Sequence, residues 1–327
     1  MTSHALPSSG SDETSAEEVG AEEVRAEEFL SHRARMFGLA YRMLGSAEEA
    51  EDVVQDAYLR WRGADRTAIE RPGAWLAKVV TNLCLTRLTS ARARREEYPG
   101  PWLPEPVLTG ADRDGRPGAL GPLESAELRD SVSTALLVLL ERLTPTERAV
   151  YVLREAFGYG HREIAGVLDL GEANCRQLYR RAVRRIAEEE PRFEAPSEER
   201  WGTLVETFVA AAREGDLAGL EKLLAEDVVW WSDGGGKVTA ARRPLFGREK
   251  VLRFLAGIMR PDGGLGGVAL LAVEANGAPA LVAHRADRLV AVASFELRDG
   301  VVTGVRAVTN PDKLVYAERQ FAALSHS

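Results

Sequence analysis

The chain has 327 residues, 45% of them hydrophobic and 28% charged, enough for two or three globular domains with sizeable cores. No apolar run reaches the length of a membrane span, and the first thirty residues lack a basic segment followed by an apolar one; a membrane partner is excluded and a cytoplasmic location expected. The net charge of −8 is uneven, with eight acids in residues 1–28 but five arginines in residues 172–187, so a locally basic segment sits on an acidic chain and would hold a polyanion only weakly without a partner.

Residues 1–24, rich in Ser, Glu and Gly, are expected to form a disordered acidic tail. Helical periodicity begins near Glu22 and runs to Gly45. Ser46-Ala47-Glu48-Glu49 then forms a capping box for a helix over 47–62. Ala50, Val53, Val54, Ala57 and Trp61 line its inner face; Asp52, Gln55, Asp56 and an exposed Leu59 form the outer one. After a polar connection over 63–71, Pro72 opens a long helix to about Tyr98. It packs through Leu76, Val79, Val80, Leu83 and Leu88, and displays Lys78, Asn82 and Arg87. Residues 99–122 are a Pro/Gly-rich linker in which apolar Trp102 and Leu103 imply that part of it docks.

A helix-turn-helix follows. Thr144 caps a helix with Pro145 at its first position and Glu147 three residues after the cap, and Gly158 and Gly160 end it. Residues 161–169 give a short second helix and 172–187 a third. Cys175, Leu178, Ala182 and Ile186 form the apolar back of the third helix. Arg176, Gln177, Arg180, Arg181, Arg184 and Arg185 form its front, as a recognition helix for a major groove requires. Cys84 and Cys175 have neither disulfide nor metal spacing and read as small core residues, and no cofactor is expected.

Beyond a Pro/Glu segment the pattern changes. Helices are expected over 201–213, 216–224 and 248–259, and strands over 227–232, 268–275, 279–285, 288–297 and 301–309. Asn276-Gly277 and Asp299-Gly300 are hairpin turns of the primed type. Helices first and an antiparallel sheet second make an α+β cone.

The segments AEEAEDVVQDAYLRW, RPGAWLAKVVTNLCLTRL and LTPTERAVYVLREAFGYGHREIAGVLDLGEANCRQLYRRAVRRI, in that order, resemble an extracytoplasmic-function sigma factor over roughly residues 25–190. The cone resembles the SnoaL-like branch of the NTF2-like folds. Three strings, Trp102-Leu103-Pro104-Glu105-Pro106, Asp233-Gly234-Gly235-Gly236-Lys237 and Asn310-Pro311-Asp312-Lys313-Leu314, look like signatures of the SigJ-like sigma group (group 41), which carries this domain at its C-terminus. The resemblance implies a multi-domain fold: two all-α sigma domains, the second a helix-turn-helix, then an α+β NTF2-like cone. Its expected layout is the tail (1–24), sigma region 2 (25–98), a linker (99–127), sigma region 4 (128–192), a short linker (193–199) and the SnoaL-like domain (200–320).

It further implies that core RNA polymerase, through its β′ and β subunits, and promoter DNA are the partners. Asp52, Gln55, Asp56 and Leu59 would contact polymerase; Trp75, Lys78, Asn82 and Arg87 would read the −10 element; Arg176, Gln177, Arg180, Arg181, Arg184 and Arg185 would read the −35 element. Trp61 reads as core. The three strings would mediate regulation in cis, with no separate anti-sigma factor expected and a small-molecule ligand in the cone left open. A tri-glycine turn lets backbone approach another surface closely, and the Asn-Pro-Asp segment reads as a turn presenting Lys313 and Leu314 to a partner.

Relatives of the cone fold include cyclases and isomerases that place a general base inside the cone. Asp233, His284 and Glu296, with Trp230 and Trp231 as walls, are the residues such chemistry would use. Asp233 belongs to the turn string and His284 has no evident partner in sequence, so no enzyme is expected. The alternative is a DNA-targeted small-molecule sensor or enzyme, which would have no need of the patch at Asp52–Leu59. An ordinary repressor would dimerise on paired half-sites, and no heptad seam is visible.

Overall fold

The computed structural model describes residues 10–109, 133–187, 201–202, 205–210, 217–260, 263, 266–286 and 288–325. The chain opens with three helices, α1 (Gly10–Leu44), α2 (Ala47–Arg62) and α3 (Pro72–Glu96). Ser46 caps α2 as expected, its hydroxyl accepting from the Glu49 N–H at 3.1 Å. Trp61 and Tyr41 are fully buried where the three helices meet, so Trp61 is core. Of the expected tail, residues 1–9 lie outside the described residues and residues 10–24 are helical. Helix α1 reaches back to Gly10, because its Ala and Glu residues are strong helix formers whatever their net charge.

Among the described residues the second unit has four helices: α4 (Thr134–Leu140), α5 (Pro145–Glu155), α6 (His161–Leu168) and α7 (Glu172–Ala187). The capping box at Thr144 and Glu147 forms in full, and α6 ends on Asp169 in the left-handed conformation. The two units do not stand apart. One continuous apolar core runs from Phe29 in α1 to Ile186 in α7. Arg148, buried in α5, donates to the Met43 carbonyl at 2.7 Å and to Glu141 at 2.7 Å, satisfying one of the last carbonyls of α1. Both cysteines lie buried in this core.

The C-terminal part is a six-stranded sheet. After α8 (Leu217–Leu223) come β1 (Leu224–Asp233), β2 (Leu245–Phe246), α9 (Arg248–Ile258), β3 (Ala269–Ala275), β4 (Ala278–Arg285), β5 (Arg288–Arg298), β6 (Val301–Val308) and α10 (Pro311–Ser325). The strand order is β2-β1-β6-β5-β4-β3, parallel only between β1 and β6. Both hairpins turn where expected: Asn276 and Gly277 have φ of 54° and 64°, Asp299 and Gly300 of 53° and 80°.

Successive side chains leave a sheet on opposite faces, and here both faces are covered. Trp230, Leu281, Phe295 and Ala307 point inward to a core shared with α9 and the helical residues 205–210. Val282, Val292 and Val308 point outward to a core shared with Leu103 and Leu108 of the linker and with Leu314 and Phe321 of α10. Helix α10 was not expected. Asn310 accepts from the Asp312 N–H at 3.1 Å and Pro311 follows, so Asn-Pro-Asp starts a helix where a turn was anticipated. Tyr316 on its far side stacks on Phe37 of α1, with centroids 5.8 Å apart.

Candidate functional site

Helix α7 carries its arginines as the periodicity demands. Arg176, Gln177, Arg180, Arg181, Arg184 and Arg185 are all exposed, opposite the buried Cys175, Ala182 and Ile186. Two of the six have local duties. Arg176 pairs with Glu172 one turn earlier, and Arg185 pairs at 2.5 Å with Glu147, the buried carboxylate of the α5 capping box.

On α2 the outer face presents Asp52, Gln55 and Leu59 to solvent, with Asp56 half-buried beside them. Arg87, grouped with −10 readers by sequence, sits against this patch instead. It reaches Asp52 at 3.3 Å and Asp56 at 3.0 Å, because α3 packs alongside α2 there. Asn82 is exposed, and Trp75 lies half-buried against Trp61 with centroids 5.7 Å apart. Lys78 is engaged by the second unit. Its ammonium donates to the Gly166 carbonyl at 3.0 Å and to Asp169 at 2.9 Å, and Arg71 pairs with Glu163 at 3.3 Å nearby. The two helical units thus cover part of one another.

The three strings come together at one residue. Asp233 ends β1 fully buried and accepts from the Tyr98 hydroxyl at 2.5 Å, the Leu103 N–H at 2.8 Å, the Gly235 N–H at 3.2 Å and the Lys313 ammonium at 2.7 Å. Lys313 also donates to the Leu103 carbonyl at 2.6 Å and lies 4.1 Å from the centroid of the Trp102 ring. Burial first, and then its bond to Asp233, pushes the Tyr98 phenol above its ordinary range, which keeps it a donor. Asn310 donates to the same hydroxyl at 2.8 Å. Gly235 has φ +57°, and a Cβ there would fall 2.3 Å from Asn310, so the tri-glycine turn is built for close approach. Lys237 pairs with Asp312 outside this cluster. Lys313 and Leu314, anticipated as presented to a partner, instead face inward and are buried in the chain's own interior.

The linker is a docked strap from Leu103 to Thr109. Glu105 caps α2 through the Ala47 and Glu48 N–H groups, at 2.7 and 3.1 Å. Burial pushes its carboxyl up, while the N–H groups it caps oppose that shift. Tyr41 donates to the Glu105 carbonyl, and Asn276 from the β3–β4 turn donates to the Tyr41 hydroxyl at 2.5 Å. Leu108 exchanges bonds of 2.8 and 3.0 Å with the Gln320 side chain of α10. Sequence reasoning missed Tyr98, Gln320 and Arg148, and gave Glu105 and Asn276 no bonding role across the chain. The Pro-rich strap and the Asn-Gly turn were the available signals for the latter two.

The residues weighed for catalysis do not gather in the cone. Asp233 belongs to the outer cluster. Glu296 pairs with Arg306 beneath Trp231, and His284 packs on Phe321 of α10, all on the outer face. Of that set only Trp230 lines the inner cavity. Among the described residues no group of three His, Cys, Asp or Glu side chains could hold a metal, and no helix is long and apolar enough to cross a membrane.

Comparison with known proteins fits this geometry. Residues 29–94 match the Sigma-70 region 2 family and residues 133–186 the Sigma-70 region 4 family. The chain is 37% identical to the ECF RNA polymerase sigma factor SigJ of Mycobacterium tuberculosis over 87% of this chain and 91% of that protein. It is 32% identical to the ECF sigma factor SigI of the same organism over 87% and 92%. The crystal structure of M. tuberculosis SigJ superposes with a TM-score of 0.70 at 34% identity, covering 89% of this chain and 98% of that one. A chain with both sigma regions, whose intervening strap docks on a C-terminal α+β domain, belongs to the extracytoplasmic-function RNA polymerase sigma factors, which direct core polymerase to initiate transcription at specific promoters.

Proposed function

We propose that the appended domain controls this sigma factor in cis by holding its two DNA-reading units in a packed arrangement unsuited to promoter binding. The observation that carries the reading is the buried Asp233, which binds the end of the region 2 unit (Tyr98), the linker (Leu103) and the C-terminal tail (Lys313) at once. Asp52, Gln55, Asp56 and Leu59 bind core polymerase, with Arg87 orienting the two aspartates. Trp75, Lys78 and Asn82 read the −10 element, and Lys78 must first leave Asp169 to do so. Arg176, Gln177, Arg180, Arg181 and Arg184 read the −35 element. Strap and α10 both bear on the N-terminal end of α2, where Glu105 caps the helix and Arg319 pairs with Glu48. Control of this kind needs no separate anti-sigma factor, and it operates in the cytoplasm.

The test is promoter-specific transcription in vitro with core polymerase, comparing the full chain with one ending at Phe193. The shorter chain should give more specific transcript per bound polymerase. Equal output from both, at every promoter tried, would sink the reading. On a −35 duplex, Arg180→Ala and Arg184→Ala should each weaken binding by about 1–3 kcal/mol, read by fluorescence anisotropy at fixed salt. Arg185→Ala should instead lower the unfolding midpoint, since its guanidinium neutralises the buried Glu147. The ordering fails if Arg185→Ala costs the most affinity.

A further inference from the structure

On the inner face of the sheet lies a cavity of about 360 Å³, within the range of small-molecule sites. Phe208, Trp230, Phe254 and Phe295 wall it with rings, the Trp230–Phe254 and Phe208–Phe295 centroids lying 5.5 and 5.4 Å apart. Its polar wall groups are the hydroxyls of Ser232, Thr239 and Thr309 and the guanidinium of Arg285. No carboxylate lines it among the described residues. Rings, the Ser232 and Thr239 hydroxyls and one cation, with no anion, suit an apolar ring compound bearing a single acceptor or anionic group and disfavour amines.

The cavity and the Asp233 cluster share their backbone. Ser232 faces the cavity and Asp233, the next residue of β1, faces the cluster. Thr309 lines the cavity, and its N–H and hydroxyl donate to the Asp233 carbonyl at 2.8 and 3.1 Å. Asn310, the next residue, donates its own N–H to that carbonyl at 2.8 Å and its amide to Tyr98. Val238 and Ala240 at the rim press on Gly234, where a Cβ would meet the Ala240 Cβ at 2.8 Å. A body filling the cavity therefore bears on the residues that hold Asp233 in place.

We infer that this cavity is a binding site for an apolar ring compound carrying one acceptor or anionic group, and that its occupancy loosens the Asp233 cluster and so releases the sigma units. The release rests on the proposed cis control; the binding does not.

The test titrates 8-anilinonaphthalene-1-sulfonate, a fused-ring sulfonate, into the full chain and follows its fluorescence. One saturable site is expected. Ala293→Phe, which fills the cavity from β5, should weaken binding by roughly tenfold or more with the circular dichroism unchanged. Arg285→Ala, at an exposed position, should weaken it by roughly fivefold, with circular dichroism checking the fold because the guanidinium also donates to the Gly266 carbonyl at 2.9 Å. Absence of saturable binding, or binding by both variants as tight as by the unaltered chain, overturns the site. Because coupling between sites is reciprocal, Asp233→Asn should tighten the probe by roughly fivefold or more. Unchanged affinity in that variant overturns the coupling. If truncation at Phe193 leaves transcription unaltered while the probe still binds at one site, it is the cis control that has failed and not the site.

Discussion

Asp233→Asn should destabilise the closed chain by about 3–5 kcal/mol, the cost of leaving a buried charge without its partner. The substitution keeps the shape of the side chain, so no cavity confuses the result. It removes the negative charge facing the Lys313 ammonium, and both side chains are at least nine-tenths buried. With its oxygen in the Oδ2 place an amide can still accept from Leu103 and Lys313, but its N–H₂ then faces the Gly235 N–H and the Tyr98 hydroxyl; flipped, it faces the ammonium and the Leu103 N–H, so donor meets donor either way. Lys313→Met should cost less, about 1–3 kcal/mol, because Asp233 would keep Tyr98, Leu103 and Gly235 as neutral donors. The urea midpoint by circular dichroism ranks the two variants. An Asp233→Asn midpoint equal to that of the unaltered chain, or a larger loss in Lys313→Met, would contradict the role given to Asp233. The same Asp233→Asn chain should transcribe like the truncated one if the cluster is what restrains the sigma units.

Arg148→Ala carries the second large effect, about 3 kcal/mol, at the low end for a broken buried pair because Glu141 keeps some access to water. It would strip the Met43 carbonyl at the end of α1 of its donor and open a gap between the two helical units. Arg148→Lys should fall between: one nitrogen, Nη1, serves both acceptors, and the shorter lysine keeps the charge but does not carry its ammonium as far. Urea unfolding gives the energies, and the radius of gyration from X-ray scattering reports whether the units separate. A destabilised variant with an unchanged radius would mean that Arg148 supports its own unit only.

Where local chemistry governs, the sequence was legible. Ser46, Thr144 with Glu147, and Asn276-Gly277 each dictate a cap or turn through their own side chains, and all three formed as expected. What the sequence hid depends on the far neighbour. Thr134–Leu140 is apolar nearly all round and shows no amphipathic contrast to mark a helix. Asn310-Pro311 opens either a turn or a helix, and packing of Leu314 and Phe321 on the sheet decided it. With both sheet faces buried, alternation along β1 and β5 could not say which side was the cone; Trp231 and Glu296 were assigned inward and point outward. Glu105 and Arg148 look like surface residues in a sequence, because a buried charge is recognisable only with its partner in view.

The strap sets a timetable for synthesis. Its partners lie far downstream: Leu108 waits for Gln320, 212 residues later, and Leu103 for Lys313, 210 residues later. The sigma half itself ends at Ala187, so at the usual pace of a ribosome roughly seven to thirty seconds separate its completion from the synthesis of Gln320, and during them its restraint is missing. Every newly made copy therefore passes through an unrestrained interval, whose length is fixed by the size of the domain that ends it.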